Sequence, residues 1–452
     1  MFLFMFEIKP RDKIVERALL VGACLDPDQW ADAEDLLAEL EELVRTLGIP
    51  VVDRMVVPLR QPQARYLVGS GKAEEICARL EARDCDVVIF DNELTPAQQR
   101  NWEVLSKVLV IDRQEIILDI FGERAQTREA RIQVDLARMS YSMPRLTRAW
   151  GHLGKQGGGI GVKGSGESRL EQDRRKIRGQ MDRLRRELQD VRRSRATQRK
   201  DRKRTPVPNA AIVGYTNVGK SSLLRRLTGA EVLIEDKLFA TLDTKTRKIA
   251  LPNKQPLLLT DTVGFIRKLP HQLVEAFHAT LEEATFSDFL IHVLDASHPR
   301  AIEFYNTTME VLTDLGADTK KTLVVFNKMD KVIDDSTRVV LRRHFPEAVF
   351  VSVQTGDGFG ELIAGIERFV GGDAAEINLL LPPGRADLVA KLHREGTVLG
   401  VDYDENAVRV RARLPEPLAT IYAEYAVEGD TIETSEPPTK VCDEVAGIFH
   451  NS

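Results

Sequence analysis

Hydrophobic positions in the first 112 residues alternate between short apolar runs and longer amphipathic stretches. The short runs, which are typical of buried β-strands, occur at 18–21, 51–52, 86–90 and 108–111. The amphipathic stretches predict helices at 30–47, 73–83 and 96–105. The first of these helices carries on one face Leu36, Leu37, Leu40, Leu43 and Val44. The alternation predicts a small parallel α/β domain of about four strands.

From Arg113 onward the alternation stops, and the pattern is that of helices. One long helix is predicted from Arg113 to about Met143, with apolar residues at Ile132, Leu136, Met139 and Met143. A second helix is predicted from about Glu167 to Arg204, with a coiled-coil seam of Leu170, Ile177, Met181, Leu184, Leu188 and Val191. Two such helices joined by a loop fold most simply into a long antiparallel hairpin. We expect its arginines to lie outside the buried seam.

A glycine-rich loop at 214–221 matches the G-x-x-x-x-G-K-S phosphate-binding pattern. A buried strand at 210–213 precedes the loop and a helix follows it, which is the order that the motif requires. Two glycines leave the backbone bare, so that amides and the helix N-terminus can approach a triphosphate. Lys220 would bridge the β and γ phosphates and Ser221 would hold Mg²⁺. The predicted contacts are Gly214, Tyr215, Thr216, Asn217, Val218, Gly219, Lys220, Ser221 and Ser222.

Further motifs follow the loop, each at the end of a predicted strand. After a strand at 257–259 come Asp261, Thr262, Val263 and Gly264. Asp261 would hold Mg²⁺ through water, and the amide of Gly264 would sense the γ phosphate. After strands at 289–295 and 323–326 come Asn327, Lys328, Met329 and Asp330, and a strand at 349–351 leads into Ser352, Val353 and Gln354.

The last two motifs resemble the guanine-recognition motif and the base-side loop of GTPases. The aspartate of the first motif would accept hydrogen bonds from N1 and the amino group of guanine, a pattern that adenine cannot offer. All elements occur in order, which predicts a P-loop GTPase domain that hydrolyses GTP to GDP and phosphate. ATP remains the alternative nucleotide. A second glycine stretch, Gly69-Ser70-Gly71-Lys72, lacks the full spacing and more simply begins a helix, although an ATP site there stays open.

The chain after Gly372 predicts a small C-terminal α+β domain without a catalytic motif. Its expected elements are a strand at 377–381, a helix at 385–395 and a hairpin at 397–402 and 407–412. Docking and structural capping are both open as roles for this domain. The predicted domains are therefore 1–112, 113–204, 205–372 and 373–452, although length alone suggests about three domains.

The composition also indicates the cellular compartment in which we expect the protein. Of the 452 residues, 43% are hydrophobic and 29% charged, as in ordinary globular proteins. The four cysteines have no close pair of metal-ligand spacing, which indicates a reducing cytoplasm. The apolar start at 1–6 is too short for a signal peptide or a membrane span. We expect a cytoplasmic monomer without a membrane span and leave a membrane-peripheral fraction open.

Positive charge concentrates in the predicted hairpin. Residues 124–204 contain 24 Lys and Arg against 9 Asp and Glu, although the whole chain has a net charge of −5. The loop between the helices, 151–166, has eight glycines among its sixteen residues, more than a simple connection needs. A basic segment with a thin, glycine-rich loop favours a polyanionic partner, of which nucleic acid is the first candidate. The predicted RNA contacts are Lys155, Lys163, Arg169, Arg174, Arg175 and Arg178.

Nearly the whole chain resembles the HflX family of ribosome-associated GTPases. The most specific match lies outside the GTPase motifs, in the glycine run 157–161 and in Gly166-Glu167, Leu170-Glu171 and Asp173-Arg174-Arg175. The resemblance implies a protein that binds the large ribosomal subunit and splits stalled ribosomes. It also implies that the hairpin loop reaches toward the peptidyl-transferase centre, where it would recognise ribosomal RNA through phosphates and shape.

The resemblance also assigns the segment Phe239-Ala240-Thr241-Leu242-Asp243 to the first switch. Thr241 would join Mg²⁺ when GTP is bound, and we name Lys220, Thr241 and Gly264 as the catalytic residues. The family commonly has proline where Thr244 stands and alanine where Val353 stands; neither change removes a ligand, but the first switch is expected to be less stiff.

Phe265 occupies the position at which Ras-like enzymes have the glutamine that orients the attacking water. Phenylalanine cannot orient water, so intrinsic hydrolysis should be slow. The ribosome could reorganise the switches, or a side chain or a monovalent cation could substitute. Similar GTPases with asparagine at the position of Asn217 use potassium, although this asparagine could equally stabilise its own loop.

Two other functions stay open. One is an RNA-remodelling or RNA-modifying enzyme that uses GTP hydrolysis as a timer, although no cysteine or histidine cluster supports modification chemistry. The other is a regulatory GTPase whose partner is a protein. RNA binding should weaken steeply with salt, whereas a protein interface need not.

Overall fold

The computed structural model describes residues 16–25, 30–146, 165–202, 207–229, 238–239, 242, 244–253, 255–268, 283–332, 334–371, 375–404, 407–414, 419 and 422–427. The chain divides into two compact units. The first comprises Met1–Thr205, Asn209–Arg247 and Leu258–Phe359, and the second comprises Pro206–Pro208, Lys248–Leu257 and Gly360–Ser452. The division into four domains stays a prediction.

The N-terminal part of the first unit is a four-stranded parallel sheet, as predicted. Its strands are β1 (Ala18–Cys24), β2 (Val51–Pro58), β3 (Val87–Phe90) and β4 (Leu109–Asp112), in the order β2-β1-β3-β4. Its helices are α1 (Trp30–Thr46), α2 (Ser70–Ala82) and α3 (Pro96–Ser106). Helix α1 buries the five apolar residues of its predicted face. Helix α2 begins within the second glycine stretch, where Lys72 pairs with Glu75 at 2.6 Å.

The predicted single helix from Arg113 to Met143 is wrong, because the structure has two helices there. Helix α4 spans Arg113–Arg124 and α5 spans Arg128–Ser142. Thr127 is extended, and its side chain accepts a hydrogen bond from the amide of Ala130, so that it caps the start of α5. The predicted apolar face is also only partly right, since Ile132 is buried whereas Leu136 and Met139 are half-buried.

Helix α6 (Ser165–Arg202) packs against α5 as the second arm of the hairpin. Arg128, at the start of α5, donates to Glu187 in the second half of α6 at 2.9 Å, as the predicted antiparallel hairpin requires. Ile177, Met181 and Leu188 are buried along the predicted seam. The fold class predicted for this segment is therefore confirmed.

A six-stranded sheet follows the hairpin in the chain. Its strands are β5 (Asn209–Gly214), β6 (Lys245–Ala250), β7 (Pro256–Asp261), β8 (Phe289–Asp295), β9 (Lys321–Asn327) and β10 (Val349–Phe350), in the order β10-β9-β8-β5-β7-β6. β5 pairs in parallel with both β7 and β8, which places the ends of these strands at one edge. Strand β6 has mostly exposed, charged side chains, and its lack of an apolar run explains why the sequence did not predict it.

Helices α7 (Lys220–Thr228), α8 (Ala301–Asp314) and α9 (Asp335–His344) belong to the first unit. The second unit contains most of α10 (Phe359–Gly371) and a separate small fold. That fold comprises β11 (Ala375–Leu381), α11 (Ala386–Glu395), β12 (Thr397–Tyr403) and β13 (Val408–Leu414), with antiparallel strands in the order β11-β13-β12. The predicted C-terminal α+β fold is confirmed. None of the described helices combines the length and the apolar character needed to cross a membrane.

Trp102 is the largest side chain buried in the N-terminal sheet domain and generates a stability prediction. It is fully buried, it packs 5.0 Å from the Phe90 ring, and its Nε1 donates to the carbonyl of Tyr66 at 2.9 Å. We expect Trp102→Ala to destabilise this domain by about 3–5 kcal/mol, because it creates a cavity and removes a hydrogen bond. Hydrogen exchange of the β1 and β3 amides measures the effect. Val104→Ala on the same helix is the control, since Val104 is 74% exposed, and equal protection in both variants would contradict the prediction.

Candidate nucleotide-binding site

The phosphate-binding loop lies between the end of β5 and the start of α7, where the sequence predicts it. Gly214 and Gly219 have φ angles of 143° and 96°, which side chains rarely tolerate. A Cβ on Gly214 would lie 2.2 Å from the carbonyl oxygen of Val293. A Cβ on Gly219 would lie 2.4 Å from Nδ2 of Asn327. The lack of a side chain at these two glycines therefore also leaves room for neighbouring protein segments. The motif alone did not indicate this packing constraint.

Lys220 begins α7, and its side chain is buried. Its ammonium group donates to the carbonyl oxygens of Gly214 at 3.1 Å and Tyr215 at 2.7 Å. Burial lowers the pKa of Lys220 to about 8, although the negative charge of Asp261 acts in the opposite direction. A buried ammonium group is stabilised by direct contact with an anion, and phosphate is such an anion.

Ser221 and Asp261 bring two oxygen donors together. Ser221 Oγ donates to Asp261 Oδ2 at 2.6 Å, and Asp261 is fully buried at the end of β7. Mg²⁺ prefers oxygen ligands, so the chemistry of this pair fits the predicted metal site. The third predicted ligand, Thr241, and its neighbour Ala240 lie outside the described residues.

Thr262 and Val263, also predicted at the nucleotide, are buried. Thr262 Oγ1 donates to the carbonyl of Ile212 at 2.8 Å. This side chain therefore joins β5 to the end of β7 and supports the site from within the sheet.

Asn327 joins the phosphate-binding loop to the base-side loop. Its Nδ2 donates to the carbonyl of Val218 at 2.8 Å, and its Oδ1 accepts from the amide of Val353 at 3.0 Å. Ser352 Oγ donates to Asp330 Oδ1 at 2.6 Å, which orients the exposed carboxylate. The residues predicted to recognise guanine therefore lie together and beside the phosphate-binding loop, although they come from two separate segments.

Lys328 and Gln354 complete the predicted base side. Lys328 adopts a left-handed conformation with φ of 63°, and its ammonium group lies 2.8 Å from the carboxylate of Asp295. Gln354 is exposed on the loop after β10. Asp295 was not among the predicted site residues, because one aspartate at a strand end carries no motif.

Arg226 is a second residue that sequence reasoning missed. Its guanidinium group donates to the carbonyl of Val353 at 2.5 Å, of Gln354 at 3.0 Å and of Thr355 at 3.3 Å. It also lies 5.1 Å from the centre of the Phe359 ring. One side chain of α7 thus holds three consecutive carbonyl groups of the base-side loop. Its position within an ordinary amphipathic helix gave no signal for this role.

Gly264 and Phe265 lie directly against the phosphate-binding loop. The amide of Phe265 donates to Gly214 O at 3.1 Å, and Phe265 O accepts from the amide of Thr216 at 2.8 Å. A Cβ on Gly264 would lie 2.9 Å from Nζ of Lys220. Phe265 is 2% exposed, so its ring is part of the core and offers no group to orient water.

Two residues predicted at the nucleotide direct their side chains into the N-terminal part of the unit. Tyr215 stacks on Phe304 with ring centres 4.2 Å apart, and its hydroxyl donates to Glu39 of α1 at 2.8 Å. Phe239 is 2% exposed and packs edge-on against Phe121 of α4, with ring centres 4.6 Å apart. Their motifs placed these residues correctly in the chain, but the motifs did not indicate the direction of the side chains.

Helix α1 therefore forms one wall of the site. A cavity of about 230 Å³ is lined by its residues Asp35 and Glu39 together with Asn217, Lys328 and Leu238. Asn217 is exposed in this loop and has φ of 59°. No nucleotide motif in the first 112 residues indicated that an acidic helix would face the phosphate-binding loop.

The predicted RNA contacts are described only in part. Arg175 and Arg178 are exposed on α6, whereas Arg174 is half-buried. Among the residues that the structure describes, neither Arg175 nor Arg178 forms an ion pair. Lys155, Lys163 and the side chain of Arg169 lie outside the described residues.

Three family models match consecutive parts of the chain. They describe a GTP-binding GTPase N-terminal region at 34–122, a GTP-binding GTPase middle region at 124–202 and a 50S ribosome-binding GTPase at 209–328. The named relatives support the same identity across both units. The protein called GTPase HflX from Akkermansia muciniphila is 50% identical over 425 residues, which cover 91% of this chain and 97% of that protein.

GTPase HflX from Lacrimispora saccharolytica is 42% identical, over 93% of this chain and 99% of that protein. A solved structure, described as SsGBP in complex with GDP, aligns with 79% of this chain and 99% of its own at 25% identity, with a TM-score of 0.47. The identities of 50% and 42% to the two HflX proteins, over most of the length of each, establish the family. The chain belongs to the HflX family of GTPases, and it hydrolyses GTP.

Proposed function

We propose that this GTPase acts in the cytoplasm as a monomer that binds the large ribosomal subunit and splits stalled or stressed ribosomes in its GTP-bound state. The observation that carries the proposal is the basic outer face of α6, joined to a phosphate-binding loop in the same compact unit. The name of the matched family model, 50S ribosome-binding GTPase, supports the choice of partner.

The nucleotide roles proposed from the motifs agree with the local chemistry. Lys220 supplies a buried positive charge for the β and γ phosphates, and the amide of Gly264 contacts the γ phosphate. Ser221 and Asp261 would hold Mg²⁺, together with Thr241 from the first switch. The ion held there would neutralise charge that develops on the phosphates. Asp330 selects guanine, with the loop of Ser352, Val353 and Gln354 beside it.

The proposal includes slow intrinsic hydrolysis, because the buried ring of Phe265 leaves no side chain at that position to orient water. Asn217, exposed at the loop, is the residue that would hold a potassium ion. The ribosome supplies the remaining stimulation by reorganising the switches around Thr241 and Phe265.

Contact with ribosomal RNA is proposed to come from the exposed cations of α6. Arg175 and Arg178 are exposed on α6, whereas Ile177 and Met181 of the seam are buried. Arginine on an exposed helix face can bind phosphate oxygens readily, because a guanidinium group loses its hydration more easily than an ammonium group does. The glycine-rich segment 151–166 would enter the RNA beyond the helices.

The free energy for splitting would come from binding and not from hydrolysis. GTP would order the switches, and the ordered chain would fit the large subunit in a position that excludes the joined ribosome. Hydrolysis would then release the protein. A GTPase whose partner is a protein is the competing outcome of the experiments below.

The central test measures GTP turnover with and without purified large ribosomal subunits. Intact ribosomes are sedimented in parallel with a non-hydrolysable GTP analogue. We expect turnover to rise at least about tenfold with subunits, as required if a partner completes the catalytic site. We also expect intact ribosomes to separate into subunits. Unchanged turnover without co-sedimentation would remove the ribosome as the partner but leave the GTPase activity.

The hairpin prediction concerns a triple replacement of Arg174, Arg175 and Arg178 by glutamine. Removing three phosphate contacts should weaken binding to the large subunit and reduce the slope of log affinity against log salt by up to about 3. Binding at several salt concentrations measures both effects. The same replacement of Arg338, Arg342 and Arg343, which are exposed on α9, removes equal charge elsewhere and should leave the slope unchanged. Equal effects of the two triple variants would contradict the assignment to the hairpin.

The base-side loop generates a prediction for Arg226. Arg226→Gln should free three carbonyl groups of the loop and weaken GDP and GTP analogue binding about tenfold each, since a charged hydrogen-bond donor contributes about 1.5–3 kcal/mol. KM should rise while kcat at saturating GTP stays unchanged, because the phosphate contacts are intact. Arg225→Gln, one exposed position earlier on α7, is the matched control. A fall in kcat at unchanged KM would exclude a role in base recognition.

A further inference from the structure

Phe265 occupies the position from which Ras-like enzymes orient the attacking water with a glutamine. Its ring is 2% exposed and belongs to the core, so it cannot take that role. Another polar side chain can replace the glutamine if it lies beside the γ phosphate and has a hydrogen-bonding group to offer. The phosphate-binding loop has such a side chain at Thr216.

Thr216 is the third residue of the phosphate-binding loop and is 6% exposed. Its amide donates to the carbonyl of Phe265 at 2.8 Å, and the amide of Phe265 donates to the carbonyl of Gly214 at 3.1 Å. These two backbone hydrogen bonds hold Thr216 directly beside Gly264. The amide of Gly264 is the group proposed to contact the γ phosphate.

The side chain of Thr216 also lies close to the ammonium group of Lys220. The position that a Cβ on Gly264 would take is 2.8 Å from Cγ2 of Thr216 and 2.9 Å from Nζ of Lys220. The two side chains therefore lie on either side of one point, which the glycine leaves open. A γ phosphate that contacts both Lys220 and the amide of Gly264 comes within reach of the Thr216 side chain.

The hydroxyl group of Thr216 has no hydrogen-bond partner in the part of the chain that the structure describes, although its oxygen is buried. A buried hydroxyl without a partner costs free energy, whereas valine would fill the same space without that cost. A bound substrate can supply the partner. Because a hydroxyl has one donor and two acceptor sites, it can bind a phosphate oxygen and a water molecule at the same time.

We infer that Thr216 is a catalytic residue of GTP hydrolysis, whose hydroxyl orients the attacking water in place of a glutamine. The hydroxyl donates to an oxygen of the γ phosphate and accepts a hydrogen bond from the water, which turns a lone pair of the water toward phosphorus. The inference rests on the proposed γ-phosphate contacts of Gly264 and Lys220 and does not depend on the ribosome.

The hydrolytic step follows from this arrangement. The water oxygen bonds to the γ phosphorus, and the bond to the oxygen between the β and γ phosphates breaks with its electron pair staying on GDP. One water proton passes to an oxygen of the released phosphate, and the other stays on the attacking oxygen. Thr216 keeps its own proton, so the residue acts by orientation and hydrogen bonding and not as a base.

The test compares Thr216→Val, which removes the hydroxyl, with Thr216→Ser, which keeps it. Single-turnover GTP hydrolysis is measured on the full chain without ribosomes, together with Kd for GDP. We expect Thr216→Val to hydrolyse GTP at least about tenfold more slowly, since it loses a hydrogen bond to a charged group at the reacting centre. Thr216→Ser should stay within about threefold of the unaltered chain, and Kd for GDP should be the same in all three proteins, because GDP has no γ phosphate.

Thr308→Val is the matched control. Thr308 is fully buried on α8, and its Oγ1 likewise has no hydrogen-bond partner among the described residues, but it lies outside the nucleotide motifs. Its hydrolysis rate should equal that of the unaltered chain. An unchanged rate in Thr216→Val, an equal loss in Thr216→Ser or in Thr308→Val, or weaker GDP binding by Thr216→Val would overturn the inference. A lack of stimulation by ribosomes would instead contradict the proposed function and would leave these rates as they are.

Discussion

The buried guanidinium group of Arg113 is the interaction on which the first unit depends. A charge removed from water must meet partners of opposite sign, and the partners of Arg113 come from α1, from the end of β3 and from the segment after Gly264. This requirement joins a sheet domain to a nucleotide site far away in the chain. The two belong to one compact unit, in which Glu39 and Asp91 supply the negative charge and the carbonyl of Arg267 supplies the contact with the nucleotide part.

Long-range hydrogen bonds to backbone atoms form the nucleotide site itself. Asn327 joins the phosphate-binding loop to the base-side loop, Arg226 holds three carbonyl groups of the base-side loop, and Thr262 supports the strand ends. Loops bonded in this way have little freedom to rearrange when a ligand enters, which lowers the entropic cost of binding.

The hairpin follows a different physical rule. Its helices bury a narrow apolar seam and leave cations on the outside, so packing and charge are separated around the helix axis. A surface of this kind is stable without a partner and still attracts a polyanion over a distance. The proposed ribosome contact therefore needs no refolding of the described part of the hairpin.

The sequence by itself determined the elements and most of their order. Apolar runs and amphipathic stretches located four N-terminal strands, the hairpin seam and the C-terminal α+β fold, because local spacing decides which face of a segment can be buried. The motifs located the phosphate-binding loop, Asp261 and the residues predicted to recognise guanine. A single capping residue made the prediction from periodicity wrong, because Thr127 divides the one predicted helix into α4 and α5. Strand β6 has no apolar pattern and went unpredicted.

Only the tertiary structure decided where the side chains of these elements point and what they meet. Tyr215 and Phe239 lie in nucleotide motifs, yet the Tyr215 hydroxyl donates to Glu39 of α1 and the Phe239 ring packs against Phe121 of α4. The contacts of Arg113 with Glu39 and with Arg267 span 74 and 154 positions in the chain, and no local pattern records such pairs. The physical reason is that periodicity reports which residues are buried, whereas partners are chosen by charge, shape and distance after the chain has folded.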